Sequence, residues 1–165
     1  MLAIFALLWR IVLRLSNTSS SSQGLASYVL WQLPFTLHAG WITAATFLNA
    51  NVLLVSLEMS TQVQFTAALV TLAGLLVIAV LTGLYVDLII PLVIAWALFG
   101  IYSCLRFPLQ SIQDTFDDSQ IELASWGSLL FAGLIALGSL AGLVRECFRK
   151  RPQATTEESR YLRAD

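Results

Sequence analysis

Residues 65–105 read FTAALVTLAGLLVIAVLTGLYVDLIIPLVIAWALFGIYSCL, an apolar run of 41 residues whose one charged side chain is Asp87. About 20 apolar residues cross the ~30 Å hydrocarbon core of a bilayer, so this run is long enough for two crossings. The turn between them is predicted at residues 83–87, because Gly83 suits a helix end and Asp87 suits a helix N-cap. Pro91 is tolerated in the first turn of the second helix. The run therefore predicts two antiparallel transmembrane helices, residues 65–86 and 88–105.

Two further apolar stretches, residues 33–57 and 123–144, lie on either side of this hairpin. All four stretches are apolar on every face, which is typical of membrane spans. The whole chain is 58% hydrophobic and 12% charged, whereas soluble domains carry about 25% charged residues. A soluble domain of this size could not bury so much apolar surface. We therefore expect an all-α, multi-pass integral membrane bundle with four clear transmembrane helices.

A fifth, N-terminal segment is marginal. Residues 1–15 are apolar but short, and they carry Arg10 and Arg14. A secretory signal places its charge before the apolar core and ends in a cleavage site, which this segment does not. Two interpretations stay open, a marginal spanning helix or the end of a longer one. A polar, Ser-rich loop is expected at residues 16–24, so the transmembrane bundle is assigned to residues 1–145 and a polar tail to residues 146–165.

The distribution of basic residues predicts the orientation of the chain. If all five segments span and the sides alternate, eight of the nine basic residues share one side: Arg10, Arg14, Arg145, Arg149, Lys150, Arg151, Arg160 and Arg163. Because Lys and Arg in short loops mark the cytoplasmic side, the C-terminus is predicted on that side or its equivalent. The net charge is −1 and no basic stripe is present, so nucleic acid is not expected as a partner.

Several polar and aromatic side chains in the apolar stretches are candidates for ligand binding. Trp41 and Asn49 follow His38 by 3 and 11 residues, which places all three on one helical face. Trp96 lies deep in another span. Intramembrane polar groups are functional candidates by default, and an imidazole can ligate the metal of a tetrapyrrole. The alternative is an interhelical hydrogen bond. With a single His in the chain, no His-based metal cluster is expected, and the residues identify no cofactor.

Two pairs of small residues predict close helix packing. Gly40 and Ala44 form a small-xxx-small pair, and Gly138 and Gly142 form a GxxxG motif. Small residues let helix backbones approach closely, which favours association in membranes. The pattern fits packing within the monomer, and it also fits a homodimer.

The stretch PFTLHAGWITAAT at residues 34–46, followed by Asn49, and the stretch PLVIAWA at residues 91–97 resemble membrane proteins of the tryptophan-rich sensory, or TspO/MBR-like, group. The resemblance covers roughly residues 1–145 and only the C-terminal portion of such proteins, since the tryptophan- and proline-rich opening helices of the longer members are absent. It implies a small hydrophobic ligand of the tetrapyrrole or sterol class, in a cavity around His38, Trp41, Asn49 and Trp96.

A second hypothesis is a structural or assembly subunit that packs against other membrane proteins through its glycine-rich last helix. An enzyme is not expected, because convergent titratable groups are lacking in the spans. A cavity with aromatic walls would favour ligand binding, whereas a close-packed interior would favour the structural role.

Overall fold

The computed structural model describes residues 2–18, 26 and 28–161, with side chains described for residues 3–16, 26, 28–145 and 148. Every regular element in these ranges is helical. The elements are α1 (Leu2–Thr18), a π-helical turn (Tyr28–Gln32) that runs into α2 (Leu33–Ser56), α3 (Thr61–Tyr85), α4 (Ile89–Arg106), the short α5 (Gln110–Gln113) and α6 (Asp118–Tyr161).

Four of these helices are long and apolar enough to cross a membrane: Tyr28–Ser56, Thr61–Tyr85, Ile89–Arg106 and Asp118–Arg145. The predicted helical membrane bundle is thereby confirmed. Helix α3 begins four residues before the predicted 65, and α6 begins five residues before the predicted 123. Hydropathy marks only the apolar part of a helix, so the polar first turns of α3 and α6 were missed.

Helix α1 packs against α2. Its Trp9 indole N–H donates a hydrogen bond to the hydroxyl of Thr43, 3.1 Å away, and Val12 is buried. The helix continues through Thr18, three residues into the loop expected at 16–24; residues 19–24 lie outside the described part. With 17 residues α1 is shorter than the four spanning helices, and whether it crosses the bilayer stays a prediction.

The bundle has two ends, which we name by their connections. The turn end carries Val86–Leu88 between α3 and α4, and the loop end carries residues 107–117 between α4 and α6. Helix α4 is central, since it packs against α2, α3 and α6. Its side chains Ile90, Ile94 and Leu98 are fully buried. The outer faces carry large exposed apolar side chains such as Val70 and Leu137, as expected of a surface that meets lipid.

The turn between α3 and α4 differs in detail from its prediction. Helix α3 does not end at Gly83 but continues to Tyr85. Gly83 is needed for another reason, because a Cβ there would lie 3.2 Å from the Pro91 ring of α4. The N-cap of α4 is Leu88, which makes no side-chain cap bond, so the prediction of Asp87 as the N-cap is wrong by one residue. The Asp87 carboxylate still accepts a hydrogen bond from the Ile89 N–H at 3.0 Å, one of the backbone donors that the first turn of a helix leaves free.

A second helix end contains a backbone conformation that favours glycine. Helix α2 closes with the Glu58 N–H bonded to the Val55 carbonyl and the Met59 N–H bonded to the Leu54 carbonyl, which is a Schellman motif. Glu58 stands at its left-handed position with φ 51°. That conformation is unfavourable for residues with a Cβ, and a carboxylate is unfavourable at a helix C-terminus.

We therefore expect Glu58→Gly to stabilise the protein by about 0.5–1 kcal/mol, since the relief of strain exceeds the entropy cost of glycine. Thermal unfolding of the detergent-solubilised protein measures this change. Glu122→Gly, on an exposed turn of α6, is the control and should destabilise. A lower melting temperature for Glu58→Gly would contradict the assignment of strain to this position.

Candidate ligand-binding site

The candidate residues Trp41 and Trp96 lie together on the outer surface of the bundle. Their ring centroids are 5.5 Å apart with an interplanar angle of 41°. The side chains are 47% and 63% exposed, respectively. His38, one turn before Trp41 on the same face of α2, is also exposed. These three side chains thus form an aromatic patch across α2 and α4 that faces outward from the bundle.

The aromatic patch exists because α2 and α4 cross closely at Gly40. A Cβ on Gly40 would lie 2.9 Å from the Val93 Cβ and 3.4 Å from the Ile90 carbonyl oxygen. Ala44, one turn further along, is buried. The contact brings the following residue, Trp41, within reach of Trp96. The role of Gly40 and Ala44 in helix packing stays a prediction. The close contact between Gly40 and Val93 makes it testable by substitution.

The fourth candidate residue, Asn49, is exposed and donates a hydrogen bond to the Ala45 carbonyl of its own helix at 2.8 Å. Asn51 instead joins two helices, because its amide donates to the Thr71 hydroxyl of α3 at 2.7 Å. It also donates to the Phe47 carbonyl at 2.9 Å. The sequence offered one signal for Asn51, a second amide two residues after Asn49 and therefore on a different face of the helix.

A half-open cavity of about 320 Å³ lies at the loop end of the bundle, and we call it the loop-end cavity. Its walls come from α2, α3, α4 and α6, and Ile112 and Phe116 of the α4–α6 connection complete them. The polar groups among its lining residues are Asn51, Thr71 and Gln120, and the remaining walls are apolar: Leu48, Phe65, Ala68, Leu72, Ile101, Leu105, Ile112, Phe116, Ile121 and Ala124.

A second depression, the turn-end groove, lies between α3, α4 and α6 and has a volume of about 430 Å³. Its floor contains small residues: Ala79, Gly83, Gly138, Ser139 and Gly142. A Cβ added to Gly138 would meet no atom within 4 Å, and one on Gly142 would meet only Leu88 at an ordinary 3.5 Å. The two glycines of the GxxxG motif therefore line an open groove.

The turn-end groove continues into a polar mouth of about 600 Å³, which contains Tyr28, Gln32, Asp87 and Arg145. The Tyr28 hydroxyl donates to the Asp87 carboxylate, 3.0 Å from one oxygen and 3.3 Å from the other. Together with the Ile89 N–H, it satisfies both carboxylate oxygens. This arrangement ties the π-helical turn before α2 to the start of α4.

The four predicted ligand-binding residues do not line the loop-end cavity or the turn-end groove and its mouth. The sequence-based pattern found residues that share one face of α2. It did not find the cavities, whose walls are assembled from three or four helices. Among the residues that the structure describes, no three His, Cys, Asp or Glu side chains lie close enough together to hold a metal ion.

A protein-family model described as "TSPO-like protein" matches residues 1–140 of the chain. Separate comparisons with curated proteins and with solved structures found no match.

Proposed function

This chain belongs to the TSPO-like protein family, and from that premise we propose that it binds a small hydrophobic ligand in the loop-end cavity of its membrane-embedded bundle. The ligand class implied by the resemblance is a tetrapyrrole or a sterol. The observation that carries the proposal is that all four spanning helices contribute to one apolar cavity with few polar groups. Ligand sites of helical bundles commonly have this form and lie in this range of volume.

The chemistry of the cavity walls fits a ligand with an apolar body and one or two polar atoms. The Phe65 and Phe116 rings offer apolar and aromatic contact. Both N–H groups of the Asn51 amide are engaged with Phe47 and Thr71, so its oxygen is the atom that can accept from a ligand, whereas the Gln120 amide can donate through its NH2 group. Asn51 is held in place by its hydrogen bond to Thr71, so it presents a pre-oriented polar group to an otherwise apolar site.

We expect Ala124→Phe to weaken binding by at least about tenfold, equivalent to about 1.4 kcal/mol, because the new ring occupies the cavity. Zinc protoporphyrin and a fluorescent sterol would be titrated into the purified protein in detergent, and melting curves would be recorded for each variant. Ala136→Phe is the matched control, since Ala136 is exposed on the same helix and does not line the cavity. It should bind as the wild type does.

The same titration with His38→Ala tests the outward aromatic patch as an alternative site. A contrary result is that Ala124→Phe binds both probes with wild-type affinity while His38→Ala binds the porphyrin more weakly. That result would place the ligand on the aromatic patch and contradict the proposal that the loop-end cavity is the site. If neither probe binds the wild type, the proposed function is wrong for both ligand classes.

Assembly with other membrane proteins, or with a second copy, is the alternative proposal. The observation in its favour is the exposed Trp41–Trp96 pair, because tryptophan is enriched at the energetic centres of interfaces. Analytical ultracentrifugation of the wild type and of Trp41→Ala in detergent tests it. A monomeric wild type would exclude the homodimer under those conditions.

A further inference from the structure

The turn-end groove and its polar mouth form one continuous depression of amphipathic character. They share the lining residues Gly83, Leu84, Leu88 and Gly142. Along the helices the depression is apolar, and at the helix ends it is lined by side chains that carry hydroxyl, amide and charged groups. An occupant that complements both parts has an apolar chain and a polar headgroup.

Among the described residues that line the mouth, the positive charge belongs to Arg145. This side chain is exposed, and no acidic group in the described part of the chain pairs with it. Asp87, the one carboxylate among the described residues that line the mouth, accepts from the Tyr28 hydroxyl and the Ile89 N–H. It stands at the N-terminus of α4, where the helix dipole offsets a negative charge. Arg145 therefore selects for an anionic headgroup.

The sequence that follows Arg145 has a net positive charge. Glu146 comes first, and Arg149, Lys150 and Arg151 come after it. Basic residues at the membrane surface attract anionic lipid, at about 1 kcal/mol each, and basic pockets between transmembrane helices bind anionic headgroups. Arg145 in the mouth, and the net positive charge of the sequence after it, thus complement a lipid that carries a phosphate.

The apolar part of the depression opens sideways, toward the bilayer. Its rim residues Val80, Leu84 and Leu134 are 50%, 69% and 52% exposed, and its floor at Gly138 is unfilled. An acyl chain enters such a groove laterally without leaving the membrane. A water-soluble anion would use only the mouth and would leave the apolar groove empty.

From this geometry we propose that the turn-end groove is a binding site for an anionic phospholipid of the surrounding bilayer, with an acyl chain over Gly138 and the phosphate beside Arg145. The mouth, at about 600 Å³, accommodates a phosphodiester headgroup and exceeds what a carboxylate alone would fill. This site is at the opposite end of the bundle from the loop-end cavity and does not depend on it.

The test is native mass spectrometry of the full chain, purified from vesicles of equal parts phosphatidylglycerol and phosphatidylcholine. The wild type should retain phosphatidylglycerol preferentially. Arg145→Gln should lower the ratio of retained phosphatidylglycerol to phosphatidylcholine about fivefold, whereas the exposed Arg10→Gln should leave the ratio unchanged. Gly138→Leu should lower retention of both lipids because its side chain occupies the acyl path, and Gly133→Leu, also free of neighbours within 4 Å, should not.

Three outcomes would overturn the proposal. One is that Arg145→Gln retains phosphatidylglycerol and phosphatidylcholine in the same ratio as the wild type. Another is an equal loss in Arg10→Gln, which would show a general effect of surface charge. The third comes from a further arm with oleate added at the concentration of the phospholipid: displacement of the retained phospholipid by oleate would identify a free fatty acid as the occupant.

Discussion

Replacing Gly40 with isoleucine should destabilise the protein by about 3 kcal/mol, the upper part of the range for overpacked interiors. A Cβ at residue 40 would come within 2.9 Å of the Val93 Cβ and within 3.4 Å of a backbone oxygen of α4. Val93 cannot retreat freely, because its neighbour Ile94 is fully buried in the core. Helix α2 would have to move away from α4, which would separate the Trp41 and Trp96 rings.

Thermal unfolding in detergent, followed by far-UV circular dichroism and tryptophan fluorescence, measures both consequences of this substitution. Gly133→Ile and Gly138→Ile are the matched controls, since a Cβ at either position meets no atom within 4 Å. Both should unfold close to the wild-type temperature. A wild-type melting curve for Gly40→Ile would show that α2 and α4 do not cross there. A large loss in Gly138→Ile would show that the GxxxG motif packs against another helix, for example in a second copy.

Removal of the Asp87 carboxylate should have the second large effect, a destabilisation of about 2–3 kcal/mol for Asp87→Ala. The carboxylate accepts from the Ile89 N–H at the start of α4, and satisfying such a free helix donor contributes about 1 kcal/mol. It also accepts a hydrogen bond from the Tyr28 hydroxyl, and at this partly buried position a bond to a charged group contributes about 1.5 kcal/mol, the low end of the usual range. Without it, the π-helical turn loses its link to the hairpin of α3 and α4.

A double-mutant cycle with Tyr28→Phe separates these two contributions. Tyr28→Phe alone should cost about 1.5 kcal/mol of stability. The loss in the double variant should be smaller than the sum of the two single losses, by about 1 kcal/mol or more. Tyr85→Phe is the control, because Tyr85 is largely exposed at the same end of the bundle and should not change stability. Additive losses in the cycle would mean that Tyr28 and Asp87 do not interact in the membrane-embedded protein.

The residues that matter within the candidate site were only partly predictable from the sequence. Asp87 was expected at the N-cap of α4, a position that Leu88 occupies, although its carboxylate does accept from the first N–H of that helix. Its bond to Tyr28 joins residues 59 positions apart, and no local sequence pattern predicts it. Asn51 and Asn49 look alike in sequence, yet only Asn51 reaches another helix. Gly138 belongs to a motif for close packing, a role that stays a prediction, and within this chain it lines an open groove.

The sequence by itself determined that the protein is a helical membrane bundle. It also determined where the four spans lie and which residues form the tight turn between α3 and α4. These properties depend on the length of apolar stretches and on local turn chemistry, which are visible residue by residue. Only the tertiary structure decided which glycine meets a neighbouring helix and where the loop-end cavity and the turn-end groove form. The physical reason is that lipid tails are as apolar as the interior of the bundle. Buried and lipid-facing sides of these helices therefore carry the same kinds of residue, and hydropathy cannot tell which faces meet.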